Sequence, residues 1–166
     1  MNDHYLDHLR REKLDQAISI PKALHFGPRQ SNEVAGYTLL TLADLRPDQK
    51  WSEATAPLRG IKGIIDFMRE YYNVSYAPNT RETIRDEAVE YFVSTGLLLT
   101  NPDNPNWPTN SGKYVYQITN ETLQLLKNFN TEQWNNTSKI YLEQIEPIRQ
   151  ELTRMRKAAD ISLTFS

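Results

Sequence analysis

The chain has 166 residues, 39% apolar and 24% charged, with a net charge of −2. That is enough for one compact domain, and the mixed charge excludes a disordered polyelectrolyte. The absence of cysteine excludes disulfides, thiol catalysis and cysteine-ligated zinc, and the low net charge counts against a non-specific, purely electrostatic nucleic-acid binder, though not against a reader with a few well-placed cations.

No stretch of roughly 18 apolar residues offers a membrane span, and the polar start MNDHYLDHLRREK does not resemble a signal peptide. A cytoplasmic protein without membrane partners is the expectation. Residues 3–25 read as a helix, with Asp3 at its start, Leu6, Leu9, Leu14, Ala17 and Ile18 at helical spacing, and Pro21 to kink or end it. His4 and His8 lie one turn apart there; a zinc pair at that spacing lacks an evident third ligand.

Asn32 is placed to cap a second helix whose apolar face includes Val34, Leu39, Leu40, Leu42, Ala43 and Leu45, closed by Arg46-Pro47. Residues 47–60 form a connection anchored by Trp51 and Leu58. Ile61, Ile64, Ile65, Met68 and Tyr71 or Tyr72 mark the buried stripe of a third helix over 61–72, and Asn73 suits its left-handed C-cap.

A fourth helix follows the turn Val74–Pro78. Asn79 is its expected N-cap, with Glu82 as capping-box partner, and Gly96 stops it. At 100° per residue, Ile84, Ala88, Tyr91, Phe92 and Thr95 share one face, expected to pack on the third helix. Asn79, Glu82, Thr83, Asp86 and Glu90 face away, with Arg81 and Arg85 between. Leu97–Thr100 and Tyr114–Ile118 read as strands flanking a loop, 101–113, that contains three prolines and no periodicity. Asn120 is read as the cap of another helix. Thr131 starts the last one, whose seam Trp134, Tyr141, Ile145, Ile148, Leu152 and Met155 is heptad-like and interrupted by Pro147. Packing on the chain's own core is its expected use. Ile161–Phe165 alternates like a strand.

Helices, then helix–strand–loop–strand, predict a mainly α domain with a small β-hairpin: a winged helix-turn-helix over about 32–119 with additional N- and C-terminal helices. A single unit spans 1–160, with a long helix at about 131–157, and 161–166 begins another domain. Such units place the start of the second helix in the DNA major groove. Asn79, Thr80, Arg81, Glu82, Thr83 and Arg85 occupy that start. Arginine can bridge guanine O6 and N7, asparagine can bridge adenine, and a carboxylate can accept from cytosine. The competing reading pairs the two arginines with Glu82, Asp86 or Glu87. In the loop, Asn110, Ser111, Lys113 and Tyr114 are candidate phosphate or minor-groove contacts; the alternative is a solvated loop. No catalytic arrangement stands out: the carboxylates Asp86, Glu87, Glu143, Glu146 and Glu151 sit on helical faces beside cations.

Leu39–Asp48, Trp51–Ala54, Tyr76–Arg85, Asn101–Pro105, Pro108–Lys113 and Val115–Ile118 resemble the N-terminal region of the BsuBI/PstI family of type II restriction endonucleases. The resemblance covers most of residues 10–160 and is most specific over Tyr76–Arg85. Trp107 and Tyr114 depart from the family pattern, which has a cation and a small residue there. The resemblance implies a winged-helix-like region joined to a magnesium-dependent nuclease domain, acting on the palindrome CTGCAG as a homodimer. This chain would be the double-stranded DNA recognition module, with no catalytic residue, metal or cofactor of its own. The rival expectations are a stand-alone winged-helix transcriptional regulator, dimerising through 131–157, and a protein-interaction module that packs on the nuclease domain.

Overall fold

The computed structural model describes residues 3–77, 79–102 and 114–165. Helix α1, Asp3–Ala23, lies against α2, Glu33–Leu42. Gly36 permits the close approach: a Cβ there would lie 2.9 Å from Leu14 Cδ1 and 3.0 Å from Ile18 Cγ1. The Asn32 side chain accepts from the Ala35 N–H at 3.0 Å and caps α2 as expected. That helix ends at Leu42, before Arg46-Pro47, because Asp44 turns left-handed at φ 54°.

Trp51 is buried and donates its indole N–H to Gln16 at 2.8 Å. Leu58, the other expected anchor, is 44% exposed. Its neighbour Arg59 does the anchoring instead. The Arg59 guanidinium bonds the Thr41 carbonyl and Asp44 and lies over Phe67, while its backbone pairs with Tyr116 in both directions. Helix α3, Ile61–Tyr72, has the expected bounds and ends on Asn73 in the left-handed region. Its core face is Ile64, Phe67, Met68 and Tyr72; Ile61 and Ile65 are only partly covered.

Helix α4 is continuous over 80–94 but not uniform. Thr80–Thr83 is α-helical, Ile84–Val89 is π-helical, and Glu90–Ser94 returns to α. The expected capping box is absent, because Asn79 has helical φ and ψ and makes no side-chain cap bond. The buried residues are Ile84, Ala88, Val89 and Phe92, and they pack chiefly on α2 rather than on α3. Gly96, at φ +86°, stops the helix.

Strands β1, Leu98–Thr100, and β2, Tyr116–Ile118, pair antiparallel with Leu98 opposite Ile118 and Thr100 opposite Tyr116. The Arg59–Tyr116 bridge adds a one-residue third strand on the other side of β2. Helix α5, Asn120–Lys127, is capped by Thr119, whose hydroxyl accepts from the Thr122 N–H, not by Asn120. Helix α6 runs Trp134–Phe165 through Pro147. The expected strand at 161–165 is therefore helical: five alternating residues are too few to overcome propagation of an established helix. Tyr141 and Ile145 join the core, as the seam suggests, but Ile148 and Met155 are about half exposed.

Three buried tyrosines couple this core to alkaline pH. Burial raises the phenol pKa of Tyr72, Tyr116 and Tyr141. Tyr72 donates to the Leu45 carbonyl at 2.6 Å, and Tyr141 shares a 2.9 Å bond with Thr122. The unfolded chain releases these protons near about pH 10 and the folded chain later. Their stabilising contribution is thus complete below about pH 10 and is lost above it. Thermal melts should show little tyrosine-linked change from pH 7 to 9 and a steep fall beyond 10. A melting temperature still level at pH 11 would contradict this burial.

Candidate nucleic-acid interface

The expected base-reading residues gather on the first turns of α4. Arg81 and Glu82 are exposed, as is Asn79 before them; Thr80, Thr83 and Arg85 are half-buried. The two arginines are one turn apart but meet different neighbours. Arg81 lines a groove of about 340 Å³ with Lys62, Ile65, Asp66 and Arg69 of α3 and Tyr76 and Ala77 of the turn. Burial, with smaller contributions from Tyr37 and Glu33, pushes the Tyr76 hydroxyl up to about 12, so it is a neutral donor at physiological pH.

Arg85 is near enough to the hairpin for its positive charge to offset slightly the rise that burial imposes on the Tyr116 phenol. Its Nε lies 3.1 Å from Asp86 Oδ1, and that hydrogen bond holds its pKa above the ordinary arginine value. The ion-pair alternative thus holds for Arg85. Among the described residues Arg81 has no ion pair. Glu82, Asp86 and Glu87 are exposed alongside the arginines, so the surface presents acceptors as well as donors.

Tyr114 stacks edge-on against Tyr116 with ring centroids 5.3 Å apart. Its carbonyl would lie 2.9 Å from a Cβ on Gly60, the N-cap of α3. The base of the loop therefore adjoins the start of α3. Asn110, Ser111 and Lys113 lie outside the described residues. Lys62 and Arg69 were not legible as site residues in the sequence. Their one signal is a spacing of seven on an amphipathic helix, which any solvated face also shows. Arg69 is held by Asp66 at 3.5 Å; Lys62 is exposed.

In order, the elements are helix (α2), short strand (Arg59), helix (α3), turn, helix (α4) and antiparallel hairpin (β1, β2). That order, with cations at the start of the second helix of the pair, defines a winged helix-turn-helix domain. Residues 11–150 match the BsuBI/PstI restriction endonuclease HTH domain, and the chain belongs to that family. It is 42% identical over 151 residues to the type II restriction enzyme BsuBI of Bacillus subtilis, covering 91% of this chain and 48% of the relative. It is 32% identical to the type II restriction enzyme AplI of Arthrospira platensis, covering 91% and 46%. The structure of the SdaI restriction endonuclease superposes with a TM-score of 0.77 at 29% identity, over 87% of this chain and 46% of that one. The chain spans about half the length of each. Among the described residues no helix is long and apolar enough to cross a membrane.

Proposed function

We propose that this chain is the double-stranded DNA recognition module of a cytoplasmic type II restriction endonuclease. Arg81 and Arg85 approach guanine in the major groove, and Asn79 and Glu82 approach neighbouring bases. Lys62 meets the phosphate backbone beside them. The target is the palindrome CTGCAG, read as a homodimer because a two-fold site matches a two-fold protein. Cleavage falls to a magnesium-dependent domain outside this chain. The observation that carries the reading is the groove in which Lys62, Arg69 and Arg81 converge from both helices of the helix-turn-helix.

A titration of the 166-residue chain against a CTGCAG duplex and a scrambled duplex, at two salt concentrations, tests it. Tighter binding to CTGCAG is expected, with affinity falling on a log–log salt plot for both duplexes. Equal affinities would leave phosphate clamping alone. No binding to either would favour the interaction-module reading, which the exposed Glu82, Asp86 and Glu87 support.

A further inference from the structure

The π-helical stretch in α4 reverses which side chains face the core. At 100° per residue, Arg85 and Arg81 lie seven and eleven residues before Phe92, each within about 20° of it, whereas Ile84 is about 80° away. An uninterrupted α-helix phased on Phe92 would turn both arginines inward. The structure has Ile84 and Phe92 at 0% exposure and the arginines outside. The change of phase is made by the wide turn, in which the Glu90 N–H bonds the carbonyl of Arg85, five residues back. A wide turn departs from the α ladder and draws support from the segments packed against it. The Glu87 carbonyl accepts from the Gln30 side-chain amide at 3.3 Å. Gln30 is 8% exposed and closes the short 3-10 turn Pro28–Gln30. The preceding Phe26 fixes that segment on the same helix, edge-on to Tyr91 at 5.4 Å and tilted against Phe92 at 6.3 Å.

We propose that Gln30 is a positioning residue for base reading: its amide holds the wide turn of α4 open and so keeps Arg81 and Arg85 facing outward. The inference rests on the DNA-recognition reading for its consequence but not for its mechanism. Gln30 does not touch DNA and acts only through the Glu87 carbonyl. Gln30→Glu replaces the donor by a carboxylate that repels that carbonyl, and Gln30→Ala simply removes it.

Two readouts on the full 166-residue chain separate the parts. In amide hydrogen exchange, Gln30→Ala and Gln30→Glu should speed exchange of the Glu90 N–H selectively, with the α3 amides unchanged. In duplex titrations they should lower the preference for CTGCAG about tenfold. Binding to the scrambled duplex and its salt slope, which depend on phosphate contacts, should stay within about twofold. Deleting Glu87 should close the turn to a regular helix, with Ile84 then seven residues from Phe92 and still core-facing, and in that background Gln30→Ala should change neither readout. Unaltered Glu90 exchange in both Gln30 variants overturns the clamp. Altered exchange with full retention of discrimination overturns its role in reading. If the unmodified chain does not distinguish the duplexes, the recognition reading fails, while the exchange result still decides whether Gln30 holds the turn.

Discussion

Phe92→Ala is expected to destabilise the domain by about 3–5 kcal/mol. Phe92 is at 0% exposure, on the helix that joins α2 to the hairpin. Its ring packs near Phe26, and its carbonyl accepts from the Leu97 N–H at 2.9 Å, which starts the chain toward β1. Truncation leaves a cavity among side chains carried by different elements, so local collapse cannot fill it cheaply. A small domain has about 5–15 kcal/mol in total, so the loss brings the fold close to its limit. Urea unfolding should show a lower midpoint with an unchanged slope, which marks a loss of stability rather than a different unfolded state. Leu99→Ala is the control: Leu99 is 45% exposed, and its truncation should stay within about 0.5 kcal/mol. Equal effects from the two would mean that α4 does not carry the core.

The core helix α3 was legible because three local signals agreed: an apolar stripe, the bounds 61–72, and an asparagine suited to a left-handed cap. Asn32 and Gly96 were legible for the same reason, each being a residue type that its backbone position favours. The misreadings of the buried face of α4 have one cause. Counting at 100° per residue assumes an unbroken ladder, and the π turn violates that assumption without an obvious local mark. Regular spacing therefore puts Tyr91 on the buried face and leaves Val89 off it, although Val89 is the one at 0% exposure. The same spacing turns α4 toward α3, whereas its buried face packs chiefly on α2. Arg59 escaped notice because a single bridged residue has no period. Its side chain works through the Thr41 carbonyl, 18 positions back. Ile161–Phe165 misleads for the opposite reason, since a period of two over five residues is outweighed by the helix already running into it.

The site was legible in part. A helix start rich in asparagine, threonine and arginine marks the N-terminal end of α4 as the candidate surface, and the hairpin after it points to the observed architecture. What the sequence could not separate was Arg81 from Arg85. Both sit on one helix, one turn apart, with acids on either side. Only the packing reveals that Arg85 folds back on its neighbour Asp86 while Arg81 opens onto the groove shared with α3.

That difference sets the second large effect. Arg81→Ala should cost about 1–3 kcal/mol of binding to the preferred duplex if the guanidinium bridges a guanine, which is roughly a ten- to hundredfold loss. Binding to a scrambled duplex should weaken much less, so the ratio between the two duplexes falls. Arg85→Ala should cost less, because its guanidinium must first leave Asp86, and the exposed pair it gives up is itself worth no more than about 1 kcal/mol. Lys62→Ala provides the contrast. A phosphate contact carries no base information, so its loss should weaken both duplexes alike and reduce the salt slope by about 1. If Arg81→Ala behaves like Lys62→Ala, the arginine is a phosphate ligand and the bases are read from elsewhere on the surface. If it changes neither affinity while the fold stays intact, the groove between α3 and α4 faces something other than DNA. Only a loss of discrimination at Arg81, without a matching loss of salt dependence, fits a helix start that enters the major groove.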